Sequence, residues 1–213
     1  MTTPCAIKLD HGVIGNGSVL ALAAPSTHID WLCMPRFDSL SVFARILDVA
    51  NGGTFAVQPD SGPVSTRMEY AVNTNVLRTE IAGGGGHGEV YDYAPRIPAG
   101  LGVDAPVEIQ RLTIPREGAP RLRVIFDPRP DYGRSQQPPI VEVSSLPYLE
   151  SGRPIRVDGP LFFALSYGKP SDTNSIESAP HVRDLTIAGW RAWANRARCH
   201  RSPVCRFFGP HCV

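Results

Sequence analysis

The feature that most constrains this chain is a period-two alternation of side chains in short runs, repeatedly interrupted by glycine and proline. Leu161, Phe163, Leu165 and Tyr167 fall on one face of a run, with Phe162, Ala164 and Ser166 on the other. Leu122, Val124 and Phe126 oppose Arg121, Arg123 and Ile125, and Leu77, Thr79 and Ile81 oppose Val76, Arg78 and Glu80. Successive side chains alternate only in an extended backbone, so each run predicts a half-buried β-strand. Gly and Pro make up 41 of the 213 residues and lie between the runs, where turns need them. The stretch Gly83–Gly88 (GGGGHG) predicts a loose hairpin loop, and Arg116–Pro120 (REGAP) predicts another. Strands joined by short loops pair antiparallel, so the expected fold is mainly β: a two-layer antiparallel sandwich with one solvated face on each sheet. Gly15-Asn16-Gly17 lacks the third glycine and following helix of a phosphate loop and reads as a hairpin turn.

One segment breaks the alternation. Ile187, Trp190, Ala194 and Ala197 recur at spacings of three and four, a helical face that Asp184 or Thr186 is placed to cap. The organisation expected is a β-sandwich over residues 1–180, an amphipathic linker helix over 181–198 and an irregular, poorly ordered tail over 199–213. That tail holds Cys199, His200, Cys205, His211 and Cys212, whose spacing matches no common structural zinc site, so no metal or other cofactor is expected.

A net charge of +1 gives no field that would draw nucleic acid or an anionic membrane. No segment has the length of a membrane span, and Met1–Asp10 shows no apolar signal region. Five irregularly spaced cysteines make no disulfide framework, so a reduced, cytoplasmic protein is expected.

The stretch Val13–Gly53 carries Ile29-Asp30-Trp31-Leu32-Cys33, Pro35-Arg36-Phe37-Asp38-Ser39 and Ser41-Val42-Phe43, followed by Gly52-Gly53-Thr54-Phe55. Further on come Asn73–Leu77 (NTNVL), Val90–Arg96 (VYDYAPR), Phe126–Tyr132 (FDPRPDY) and Trp190-Arg191-Ala192-Trp193. Together these resemble the N-terminal β-sandwich of bacterial enzymes of glycoside hydrolase family 15, the glucoamylase, glucodextranase and trehalase-like group, over residues 7–196. Leu40 stands where that family commonly has proline, and Pro25–His28 replaces a usual Asp-Gly turn. The resemblance fades at Cys199, before the helical barrel that carries the family's two catalytic glutamates.

The resemblance therefore implies a non-catalytic N-terminal domain, with no catalytic residue on this chain. It implies an α-glucan or disaccharide as ligand class, and a catalytic (α/α) barrel in another chain as partner. Trp31, Arg36, Phe37 and Asp38 are the candidates for a sugar-contacting rim, since aromatic rings stack on pyranose faces and Arg and Asp bond hydroxyls. The competing reading has Trp31 and Phe43 in the core and Arg36 paired with Asp38 across a turn. Trp190 and Trp193 are candidates for a domain interface. Asp30, Asp38, Glu89 and Asp92 read as solvated or capping carboxylates. Two further readings remain: a stand-alone carbohydrate-binding module built on the Trp31–Phe43 cluster, or a truncated or frame-shifted product with an exposed apolar face.

Overall fold

A computed structural model of the chain describes residues 10–62, 64–134, 140–146, 151–172 and 174–196. The tail expected over 199–213 lies outside them. The expected strands are present. In chain order they are β1 (Gly12–Gly15), β2 (Leu20–Ala23), β3 (Ile29–Cys33), β4 (Ser41–Phe43), β5 (Thr54–Pro59), β6 (Ser65–Tyr70), β7 (Leu77–Gly83) and β8 (Gly86–Tyr93). There follow β9 (Ile97–Ala99), β10 (Gly102–Asp104), β11 (Glu108–Gly118), β12 (Arg121–Asp127), β13 (Ile140–Ser144), β14 (Pro154–Arg156) and β15 (Leu161–Tyr167), then the helix α1 (Ala179–Arg196). One sheet runs β1-β2-β3-β5-β12-β14, with β4 also on β3; the other runs β13-β15-β11-β8-β7-β6, and β9 and β10 form a separate hairpin. Every pairing is antiparallel.

The two sheets meet over one apolar core. Ile14, Ile29, Leu32, Phe43, Phe55 and Val57 from the first sheet face Leu77, Ile81, Val90, Ile109, Phe163 and Leu165 from the second. Phe55 and Phe163 touch edge to face across the gap, with centroids 5.4 Å apart. Arg111 on β11 sits among these groups, fully buried. Its Nε and Nη2 donate to the two oxygens of Asp92 on the neighbouring β8, at 2.6 and 3.1 Å. Nη1 and Nη2 also donate across the interior to the carbonyls of Phe55 and Thr27, at 3.1 and 2.7 Å. The guanidinium lies 4.5 Å from the centre of the Phe55 ring. A buried charge is tolerable only when paired and saturated with hydrogen bonds, and this arginine finds those partners on both sheets.

Three expectations need correction. The second sheet has no broadly solvated outer face. Val76, Tyr93, Leu112 and Phe162 point away from the sandwich interior and are buried under Ala179 and Val182 of α1, with Ile176 and Ile187 beside them. The helix also begins earlier than its periodicity predicts. Ser175 Oγ accepts the Ser178 N–H at 3.2 Å, and Pro180 follows in the first turn, where its missing N–H costs nothing. Thr186, a candidate cap, is instead fully buried inside the helix, accepting from Arg96 N–H and donating to the Val182 carbonyl. The inward positions are Ala179, Val182, Thr186 and Gly189, one position off the apolar stripe in the sequence. Small residues let the helix come close: a Cβ on Gly189 would lie 2.7 Å from the Arg96 carbonyl oxygen.

The third correction concerns REGAP. β11 continues through it to Gly118, with an irregularity between Pro115 and Glu117, and β12 then belongs to the other sheet. The bulged and positive-φ backbone there carries the chain across the sandwich instead of folding it into a hairpin. The glycine loop does form a hairpin, tighter than expected: Gly83 pairs with Gly86, and Gly84 and Gly85 take φ of 61° and 84°. Two consecutive positive φ values are what a two-residue turn with the native strand twist demands.

The polar stretch before the helix is tied down by Glu108, which is buried on the helix side of β11. Gln110, Ser166 and Asn174 each donate to its carboxylate at 2.6 Å. No helix among the described residues is long and apolar enough to cross a membrane.

Asp92→Ala would strand the Arg111 charge in the core. Urea denaturation should show a loss of ~3–5 kcal/mol, whereas replacing both partners by apolar residues of similar volume should cost markedly less.

Candidate functional site

The segment from β3 to β4 holds four of the candidate residues, and the structure separates them. The loop leaves β3 through a cis Met34–Pro35 peptide. Arg36 then turns back on Asp38 in a bidentate pair, Nε to Oδ1 at 2.9 Å and Nη2 to Oδ2 at 3.0 Å. Ser39 closes the turn by donating its N–H to the Arg36 carbonyl at 3.0 Å. Both charged side chains are more than half exposed, so the pair shapes the loop and adds little stability. Phe43 is fully buried, as the packing alternative expects, and Trp31 is half-buried.

Phe37, at the tip of this turn, is 72% exposed. It shares a cleft of about 200 Å³ with the β1–β2 turn, Asn75 and Trp190 of α1. The structure thus brings together Phe37, a sugar-rim candidate, and Trp190, an interface candidate, while Trp31 does not line this cleft. Trp190 is positioned by Arg96, whose guanidinium lies 4.8 Å from its ring centre and whose Nη1 donates to the Asn16 carbonyl. Asn16 in turn donates to the carbonyls of Pro95 and Pro106, each at 2.8 Å. The Asn-Gly turn is therefore pinned to the helix through one arginine. Trp193 packs edge-on against Trp190 at 5.7 Å and is 54% exposed. Trp190 Nε1 and Asn75 Oδ1 are buried without a hydrogen-bond partner among the described residues.

A second cleft, of about 400 Å³, opens at the other end of the β1–β2 hairpin. Its polar wall is built around Asp30, whose side chain is 5% exposed. His11 Nε2 lies 3.0 Å from Asp30 Oδ2, and Arg45 Nη1 donates to Oδ1 and Oδ2 at 3.2 and 3.3 Å. The sequence reads Asp30 as a solvated or capping group; it is instead buried in an ion-paired cluster. Its partners lie 19 and 15 residues away in the chain, so no local pattern marks His11 or Arg45.

The other two carboxylates singled out from the sequence, Glu89 and Asp92, are likewise engaged. Burial of Glu89 works against its charged form, but hydrogen bonds from Arg78, Arg116 and Tyr91 outweigh that and hold its carboxyl below the ordinary range. Asp92 belongs to Arg111. Both are more enclosed than the sequence suggests: Asp92 directly faces Arg111 across the strands, whereas Glu89, facing Ile114 and Glu80, is reached by arginines from other positions. No group of three or more His, Cys, Asp or Glu side chains among the described residues is arranged to hold a metal ion.

His28 lies beside the polar cluster, with Nδ1 3.0 Å from Ser26 Oγ. Burial, reinforced by the Arg45 charge, lowers its pKa from 6.5 to about 4. The unfolded chain therefore binds the extra proton first. This contribution to stability is complete above about pH 6.5 and is lost as pH falls towards 4. Solvent screening at this partly exposed ring reduces it to roughly 1–2 kcal/mol. His28→Asn should flatten the pH dependence of the melting temperature in that window, measured by calorimetry between those two pH values.

Comparison with known proteins agrees with this fold. The model of the trehalase-like N-terminal family matches residues 5–163. A trehalase of Thermoplasma volcanium is 34% identical over 137 residues, 62% of this chain and 21% of its own length. Trehalase 1 of Sulfolobus acidocaldarius is 40% identical over 84 residues, 39% of this chain and 14% of that protein. A trehalase of Thermoplasma acidophilum is 43% identical over 60 residues, 28% and 10% of the two chains. The matched part thus spans about a fifth or less of these relatives. No solved structure matches the chain significantly. With three-quarters of its length matched by the family model and the sandwich in place, the chain belongs to the trehalase-like N-terminal domain family.

Proposed function

We propose that this chain is the non-catalytic front module of a glycoside hydrolase of the glucoamylase and trehalase-like group, and that it does not cleave α-glucosidic bonds by itself. The observation that carries this reading is the state of its carboxylates. Inverting hydrolysis needs one carboxyl held protonated as an acid and another free as a base across the sugar. Glu89 and Asp92 are instead clamped by arginines, and Glu89 is driven towards the charged form. Asp30 is tied to Arg45 and His11, and Asp38 to Arg36. The acid and base then belong to a separate helical body on which this module docks. The free, buried Cys33 is consistent with a reducing, cytoplasmic setting.

The module acts, in this reading, by docking on that body through Phe37, Trp190 and Trp193. Phe37 and Trp190 line one cleft and Trp193 packs against Trp190, while the buried Trp190 Nε1 and Asn75 Oδ1 beside it have no partner among the described residues. Exposed aromatic groups beside unpaired polar atoms are what the buried centre of an interface requires.

Purified chain should release no glucose from trehalose, maltose or dextrin. Turnover that disappears on replacing a single carboxylate would overturn the assignment. Supplied in trans with a trehalase-like catalytic body, the Phe37→Ala and Trp193→Ala variants should bind it ~10-fold or more weakly in a calorimetric titration, with unchanged melting temperatures.

A further inference from the structure

The larger cleft, at the far end of the β1–β2 hairpin from Phe37, has a construction the docking role does not use. Its polar side presents a prearranged set of groups. Asp30 is fixed by both His11 and Arg45, and Arg45, 28% exposed, bonds Asp30 through Nη1 alone. Its Nη2 and Nε make no hydrogen bond to the described residues. The same cleft is also lined by Pro25, Ile46 and Val49, the last 72% exposed. A lining that combines paired donors and acceptors with C–H groups matches a molecule that carries both hydroxyls and C–H groups.

Charge selects among such molecules. The Arg45 cation is neutralised by Asp30, and the Asp10 carboxylate adds negative charge at the rim. An anion would meet no net attraction here, whereas a neutral polyol would find both donors and acceptors. The volume of about 400 Å³ lies in the range of small-ligand sites and accommodates one or two sugar rings.

We propose that the cleft formed by His11, Asp30, Arg45 and Val49 binds a neutral sugar of one or two rings. The inference rests on the reading of the chain as a module of a sugar-cleaving enzyme, and it adds a sugar site away from the docking face. The two clefts sit at opposite ends of one hairpin and share no lining residue. Occupation is in the millimolar range, since no aromatic ring lines this cleft to stack on a sugar face.

The test is an NMR titration of the isotope-labelled full chain with trehalose, maltose and glucose, and separately with inorganic phosphate. Saturable shifts should centre on His11, Arg45 and Val49 with at least one of the sugars. Arg45→Gln should weaken binding ~10-fold, the effect of removing a charged hydrogen-bond donor. Val49→Trp fills the cleft from its exposed wall without touching the ion pair, and should abolish the shifts while leaving the melting temperature unchanged. Absence of shifts with all three sugars, shifts centred on Phe37 and Trp190, or tighter binding of phosphate would each overturn the proposal. Docking in trans through Trp193 is measured independently, so loss of the sugar site and loss of the docking role are separable results.

Discussion

The sandwich depends on one buried ion pair. Arg111 and Asp92 occupy facing positions on adjacent strands of one sheet, yet the guanidinium spends its other donors on backbone carbonyls of the opposite sheet. Apolar contacts such as Phe55 against Phe163 supply most of the attraction between the layers, but they are not directional. The guanidinium is: it accepts only the alignment in which the Phe55 and Thr27 carbonyls reach it. A one-residue slip of β11 would turn Arg111 to the helix side and leave Asp92 unpaired in the core, an outcome costing several kcal/mol. Here the pair selects the register and the stacking of the sheets more than it adds net stability.

That alignment places both clefts. The chain from Thr27 into β3 carries Asp30, and the carbonyl of Thr27 is held by Arg111. β3 then delivers the Arg36–Asp38 turn, with Phe37 at its tip, to one end of the β1–β2 hairpin, while Asp30 faces Arg45 and His11 at the other. The helix completes the first cleft by setting Trp190 beside Phe37. Its seat is fixed by small residues and polar anchors: Gly189 against the Arg96 carbonyl, Tyr93 donating to the Ala179 carbonyl, and Glu108 holding Asn174. Aromatic side chains from opposite ends of the sequence come together because the helix packs on the outer face of the second sheet.

Much of this is legible in the sequence. Alternation locates β7, β12 and β15, the glycine run locates the β7–β8 turn, and the Arg36–Asp38 spacing points to a salt-bridged turn as one of two readings. The misreadings share a physical origin. The helix start escapes periodicity because its cap is a pair of serines in a polar stretch and its buried face uses Ala, Thr and Gly, residues that hydropathy ranks low. The REGAP segment resembles a hairpin because turn residues mark a change of direction and not the sheet that the next strand joins. The outer face of the second sheet reads as wet because alternation describes one strand at a time.

The sequence by itself determined the extended strands and the glycine turn between β7 and β8, and through its motifs the family. Those signals act between neighbours along the chain, where sterics and side-chain periodicity operate. Only the tertiary structure decided that Arg111 is a core residue, that Asp30 is held by His11 and Arg45, and that Phe37 and Trp190 share a cleft. Each of these pairs residues far apart in the chain, and burial is what turns their charges and rings from ordinary surface groups into constraints on the fold.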